Sequence, residues 1–215
     1  QHRQDLKWFV SRLKDCKSVL HIGSGDGSLV LALAKAGIRA VGLEIDGKRH
    51  FVIGSNNTDR ISGNGRANIL NGLAGADLIS GGDDNDTIDG GSENDEIYGN
   101  AGADIIGGGA NDDWIYGGTG ADIIHGDGGA DHVFGNSDPD KLYGDAGDDY
   151  LEGGQGNDIV FGGDDQDTLV AGYGSDTLDG QGASDQYRIT ARGGATTELT
   201  TAYDTGGATG TDTFT

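Results

Sequence analysis

The sequence predicts an all-β repeat solenoid. Three observations predict it: a nine-residue period that never slips, an aspartate column in phase with it, and an aliphatic column two residues behind the aspartates. Aligned on Gly81–Asp89 (GGDDNDTID), the period runs from Gly54 to Arg188 as fifteen units without an insertion. Unit position 1 is Gly in fourteen of them, with Ala171 the exception; position 6 is Asp in fourteen, with Asn68 the exception; position 8 is Ile, Leu or Val in fourteen, with Tyr187 the exception. A fixed period of this kind means small units that bury a shared core only by stacking on their neighbours.

Each column has its own physical task. Positions 1–6 read as turn chemistry, because Gly adopts positive φ without a Cβ clash. Where Gly is missing at position 4, the replacements include Asn57, Asp84, Asn111, Asp138 and Asp165, the residue types that next best tolerate the left-handed region. Positions 7–9 read as a short strand, so position 8 points to one side and positions 7 and 9 to the other. Position 8 is then the core.

One aliphatic side chain per nine residues is a thin core. It does not offset roughly 1–2 kcal/mol of backbone entropy for every ordered residue, and the aspartates repel one another. The 215 residues include 43 Gly, one Pro, one Cys and no Met, with a net charge of −22. That charge is uneven: residues 1–53 hold nine Lys/Arg and five Asp/Glu (+4), whereas residues 54–215 hold five and 31 (−26). Composition alone fits an acidic disordered tail; the unbroken register excludes it. Phosphate recognition needs clustered cations, which excludes nucleic acid as a partner of the acidic region. A hard divalent cation meets the need instead, since calcium takes six to eight carboxylate and carbonyl oxygens together. An EF-hand does not fit, because the run from Asp83 has neither Gly at its sixth place nor Glu at its twelfth.

Gly117–His125 (GGTGADIIH) and Gly153–Phe161 (GGQGNDIVF) resemble the calcium-binding nonapeptide G-G-x-G-x-D-x-U-x of RTX (hemolysin-type) proteins. The resemblance implies a right-handed parallel β-roll with two units per coil and calcium held between a turn and the turn two units on. By it, the metal ligands are Asp77, Asp86, Asp95, Asp104, Asp113, Asp122, Asp131, Asp149, Asp158, Asp167 and Asp176, joined by turn carbonyls. Asp86 shares an ion with Asp104, Asp104 with Asp122, and Asp95 with Asp113. Fifteen units allow at most thirteen such pairs, and thirteen ions would carry +26, the size of the regional charge deficit. The resemblance also implies a secreted, extracellular bacterial protein exported by type I secretion, with any catalytic domain outside this stretch.

Departures from the pattern mark weak sites. Ser55 and Asn64 replace Gly at position 2, Arg66 stands at position 4 and Asn68 replaces the ligand. Pro139 restricts Asp138, so the expectation at Asp140 is a distorted or empty site. The last unit, with Ala183 and Tyr187, reads as a closing coil. Stacking alternate units places Tyr98, Trp114, Tyr116, His132, Phe134 and Tyr150 on one outer sheet face. Ile105, Ile123, Tyr143, Ile159 and Phe161 fall on the other. The first set is either a self-supporting cross-strand ladder or a docking face for a neighbouring domain or protein.

Residues 1–53 read as α/β. Asp5–Cys16 and Ser28–Ala36 have helical patterns, and Ser18–Ile22 and Ile38–Leu43 are short apolar strands. The stretch Val19–Asp46 (VLHIGSGDGSLVLALAKAGIRAVGLEID) resembles the first motif of class I S-adenosylmethionine-dependent methyltransferases. The resemblance implies that Gly23, Gly25 and Gly27 approach the cofactor and Glu44 holds its ribose; His21 stands where that family has an acid. With the repeat starting at Gly54, the segment is either a truncated Rossmann-like βαβ unit or an N-terminal cap on the roll. Cys16 has no partner for an internal disulfide, and no stretch is apolar and long enough to span a bilayer. The chain opens on Gln1 with no leader pattern, which fits a piece of a longer protein. The Thr-rich tail, 189–215, leaves the nonapeptide register, and Asp204–Phe214 resembles segments that flank RTX blocks.

Overall fold

A computed structural model describes residues 40–45, 49–189, 200–205 and 213–214. Among them every regular element is a β-strand, and the strands form two sheets of ten and nine. The chain alternates between the sheets. Sheet A takes Ile69–Ala74, Thr87–Ser92, Ile105–Ala110, Ile123–Gly128, Lys141–Ala146, Ile159–Asp164 and Thr177–Gln181. Sheet B takes Arg60–Ser62, Leu78–Asp83, Glu96–Ala101, Trp114–Thr119, His132–Ser137, Tyr150–Gln155, Thr168–Tyr173 and Gln186–Arg188. Neighbours within each of these runs are parallel and pair residue i with i+18, as in Ile79↔Ile97 and Ile106↔Ile124. Two units therefore make one coil, and the fold is the expected parallel β-roll.

The strands are longer than the sequence reading gave. They run from position 7 to position 3 of the next unit, which leaves only positions 4–6 as the tight turn. Inward-facing residues alternate along them, so position 8 and the following position 1 are both buried, as in the Trp114–Thr119 strand. The position-8 side chains from Ile61 to Tyr187 form one continuous core, which Val52 extends. Position 1 adds almost no apolar volume to that core, and the thin core inferred from composition is real.

The glycines at position 1 do not serve positive φ. The left-handed residues fall at positions 2 and 4, for example Asn100 and Asn136 at position 2 and Asp84, Asn111 and Asp165 at position 4. Position 1 is Gly because of crowding. A Cβ on Gly117 would stand 2.4 Å from the Asp122 carboxylate and 2.9 Å from the Gly135 carbonyl oxygen, well inside van der Waals contact.

Both ends of the fifteen-unit block continue into further strands, of which the N-terminal one keeps the eighteen-residue register, as in Val52↔Leu70. Arg49–Ile53 pairs in parallel with Ile69–Ala74, and Ala40–Ile45 folds back on it as an antiparallel neighbour. At the other end, Thr201–Tyr203 adds to sheet A beside Thr177–Gln181 and Thr213–Phe214 adds to sheet B beside Gln186–Arg188. The tail thus rejoins the roll after leaving the period. Tyr187 closes the core there: its hydroxyl accepts the Gly180 N–H at 2.8 Å and donates to the Tyr203 carbonyl at 3.0 Å. The expected helices Asp5–Cys16 and Ser28–Ala36 lie outside the described residues.

The outer faces carry the aromatic columns as expected. On sheet B, Tyr98, Tyr116 and Phe134 stack with centroids 4.9 and 5.0 Å apart and rings within 8° of parallel. Beside them Trp114 stacks on His132 at 4.2 Å and His132 on Tyr150 at 5.8 Å. On sheet A, His125, Tyr143 and Phe161 form a shorter column. Within a column the rings spend their π faces on one another.

Two glycines separate the roles of space and backbone angle. Gly128 has ordinary φ, and the nearest atom to its added Cβ is 3.8 Å away. Gly117→Ala is expected to cost about 1–3 kcal/mol, while Gly128→Ala should stay within about 0.5 kcal/mol of the parent. Denaturant unfolding in saturating calcium measures both.

Candidate metal centre

The position-6 aspartates stand at the point where each turn re-enters a strand. From Asp77 to Asp185 all are buried, none more than 3% exposed. Each main chain is held by the ladder: the position-6 carbonyl accepts the position-7 N–H two units on, at 2.8–3.0 Å, as from Trp114 to Asp95. Each side chain is held too. Its Oδ1 accepts the N–H of the position-6 residue eighteen before it, from Asp86 N–H to Asp104 and from Asp95 N–H to Asp113 at 2.7 Å. The carboxylates therefore line up in two columns, one for each sheet, with successive members one coil apart.

The second carboxylate oxygen is different. In Asp86, Asp95, Asp104, Asp113, Asp122, Asp131, Asp140, Asp149, Asp158 and Asp167, Oδ2 is shut off from water and accepts no hydrogen bond. It borders a space that position 1 keeps open. From Gly81 to Gly162, a Cβ at position 1 would lie 2.3–2.6 Å from this oxygen and 2.4–2.9 Å from the position-1 carbonyl two units on. A carboxylate oxygen and a carbonyl oxygen thus share one cradle with no donor between them. Burying such oxygens unpaired costs several kcal/mol each.

Without a cation these carboxyl groups hold their protons to higher pH than a free aspartate does. Burial is the largest cause, and neighbouring carboxylates add to it. Asp113, Asp140 and Asp167 are pushed up to about 8, Asp95, Asp122, Asp131 and Asp149 to about 7, and Asp86 and Asp158 to about 6. Asp104 is raised by the same burial. Each shift is opposed by the N–H that Oδ1 accepts, which favours the charged form.

The structure corrects one expectation. The turn at Pro139 is not distorted. Asp140 accepts the Asp122 N–H at 2.8 Å and donates its own to Asp158 at 3.0 Å, and Lys141–Ala146 keeps the common register. The reason is local. Position 5 offers its N–H only to exposed turn side chains, as Ala103 does to Asn85 and Ala130 to Asp112, so a proline there removes a donor that the ladder never uses. Asp138 takes the same left-handed angle as Asn111, with φ of 78° in both. Asp140 thus joins the column from which the sequence reading left it out.

The first two units do depart. Asp59 Oδ2 is filled by donors, the N–H and hydroxyl of Ser55 at 2.7 and 2.8 Å. Asn68 places an amide nitrogen where the units from Asp86 to Asp167 have an oxygen without a hydrogen bond. Away from the ladder, His125 Nδ1 lies 2.8 Å from Asp145, and with Asp127 these ligand atoms fall within 4.8 Å of one another. That group lies on the outer surface of sheet A. Of the expected cofactor residues, Gly23, Gly25 and Gly27 are outside the described residues; Glu44 lies in Ala40–Ile45, opposite His50.

The donor set is all oxygen, anionic and shielded, which fits a hard cation with many ligands and not a thiolate or imidazole site. The comparisons agree. A model of the RTX calcium-binding nonapeptide repeat matches residues 53–88, 80–113, 107–142, 125–160, 134–169 and 161–188. No curated protein matches the chain in sequence. The matched segments cover residues 53 to 188 and coincide with the two carboxylate columns. With fold, oxygen cradles and repeat model in agreement, the chain belongs to the RTX calcium-binding nonapeptide repeat family, whose repeats bind multiple calcium ions and serve a structural role.

Proposed function

We propose that this chain is a calcium-triggered folding and support module of a secreted protein. Its ligands are the position-6 carboxylates Asp77, Asp86, Asp95, Asp104, Asp113, Asp122, Asp131, Asp140, Asp149, Asp158, Asp167 and Asp176, with carbonyls of the turns. The run of buried Oδ2 atoms without a hydrogen bond, from Asp86 to Asp167, carries this reading. Each cradle lacks one positively charged partner, and a shared ion would supply it to two successive coils at once.

The role follows from the energetics. In low calcium the roll must keep its carboxylates neutral or pay for burying their charge, and its thin core does not cover that cost. Where calcium is abundant, affinities of the order of 10⁻⁴–10⁻³ M, typical of extracellular modules, suffice to fold it. A chain that stays open until it reaches calcium suits export, and a rigid rod afterwards suits support of neighbouring domains. The work assigned to the repeats is folding and display, not catalysis. Among the described residues no helix is long and apolar enough to cross a membrane.

Far-ultraviolet circular dichroism tests the reading directly. The β spectrum should appear on adding calcium and disappear on chelation; a spectrum indifferent to strong chelation would sink the proposal. Asp113→Ala should raise the calcium midpoint and make the transition less steep, since two coils lose a ligand together.

A pH dependence follows as well. Unfolded aspartates release their protons near pH 4, whereas the folded ones keep theirs to about 6–8. Between these values the folded state binds more protons, so the metal-free roll loses stability as pH rises from about 4 to about 8. Calcium must displace the same protons, so its affinity should rise over that range. Calcium titrations at pH 5.5 and 8 in weak buffer, with proton release recorded, should show the tighter midpoint at pH 8.

A further inference from the structure

Asn68 is the single break in the position-6 column, and its surroundings are unlike those of a degenerate leftover. Its amide nitrogen lies 2.5 Å from the Arg66 carbonyl oxygen, 2.7 Å from Asp86 Oδ1, 3.2 Å from the Gly81 carbonyl oxygen and 3.4 Å from the Asn64 carbonyl oxygen. These four oxygens come from positions 2 and 4 of its own unit and from positions 1 and 6 two units on. The amide orientation is set by them, because the alternative would aim an oxygen at four oxygens.

The place it fills is the one that the carboxylate Oδ2 takes elsewhere, beside the cradle. A Cβ on Gly63 would meet Asn68 Nδ2 at 2.6 Å, just as a Cβ on Gly81 would meet Asp86 Oδ2 at 2.3 Å. From Asp86 to Asp167 the corresponding atom is a carboxylate oxygen that accepts no hydrogen bond. Here the atom is a donor with partial positive charge, and its two N–H bonds are shared among the surrounding oxygens without metal.

We propose that the unit Gly63–Asn71 holds a latent calcium site closed by its own side chain, with the Asn68 amide standing in for the ion. The neighbouring unit reaches the same end by another route, since Ser55 supplies two donors to the Asp59 carboxylate. Arg66 is consistent with it: an exposed cation beside the cradle repels an ion but not an amide. The N-terminal end of the repeat block is thereby set by hydrogen bonds. Calcium binding to the later units extends an end that is already closed.

The inference rests on the calcium reading above, and ion counting separates the two. Bound calcium per folded chain is measured by equilibrium dialysis and native mass spectrometry on the full chain, with circular dichroism as the folding control. Asn68→Asp, alone and with Arg66→Gly, should raise the count by about one ion, the site regaining an all-oxygen shell. Asp104→Asn should lower the count while keeping the β spectrum in calcium, because an amide can replace the ion; Asp104→Ala should lower both. A parent chain that binds no calcium overturns the proposed function itself. A parent that binds calcium and a folded Asn68→Asp that adds none overturns only the latent site. If Asn68→Asp does not fold, Asp104→Asn decides: an intact roll with fewer ions supports the amide as a stand-in, and loss of the β spectrum overturns it.

Discussion

The structure depends on how a buried carboxylate is treated. From Asp77 on, every coil sets two aspartates at the mouths of its turns, closed to water, and each accepts with one oxygen a backbone N–H of the preceding coil. The other oxygen is left facing a carbonyl. That arrangement is strongly unfavourable for a charged, metal-free chain and favourable for one that supplies a divalent cation to every cradle. On the calcium reading, the groups that would hold the fold together with the ion would oppose it without one, and stability and ligand binding would be one free energy, as in other small metal-dependent folds.

The other constraints follow from making room for that cradle. Position 1 faces inward, where most solenoids would place a second apolar side chain, yet a Cβ there would collide with the carboxylate and with the next carbonyl. The core is thus reduced to a single row of Ile, Leu and Val along each sheet, closed at one end by Tyr187. The stacked rings on the outer faces compensate in part. Such pairs contribute roughly 0.5–1.5 kcal/mol beyond their buried area, and they run through the centre of the block, where the open carboxylates are also found.

Much of this could be read in the sequence because the period imposes it. Three columns in phase over fifteen units fix the coil, the core residue and the acidic ladder, and alternation within the strand fixes which aromatics share a face. What stayed hidden depends on geometry that residue names do not carry. Gly117 and Gly118 look alike in sequence, but Gly118 is needed for its φ of 116° and Gly117 for want of space. Carbonyl oxygens have no residue identity, so the strands' extension to position 3 left no mark. Pro139 looked disruptive because local backbone rules were applied without knowing that position 5 keeps its N–H out of the ladder. The strands Thr201–Tyr203 and Thr213–Phe214 escaped notice because they do not follow their partners at the eighteen-residue interval: Thr177 pairs with Thr201 and Gln186 with Thr213. Asn68 read as a missing ligand, and only the four oxygens around its amide show what replaced it.

The hydrogen bond from each position-6 N–H to the carboxylate eighteen residues later always points the same way along the chain. The roll is therefore a polar filament: at any cut, the face toward the C-terminus presents N–H donors and the face toward the N-terminus presents carboxylate acceptors. A zipper built this way has unlike ends. Two such faces of the same kind repel or leave groups unmatched, and only opposite ones interlock. A continuation of the aspartate ladder itself, whether by more of the same chain or by another, is restricted to head-to-tail order.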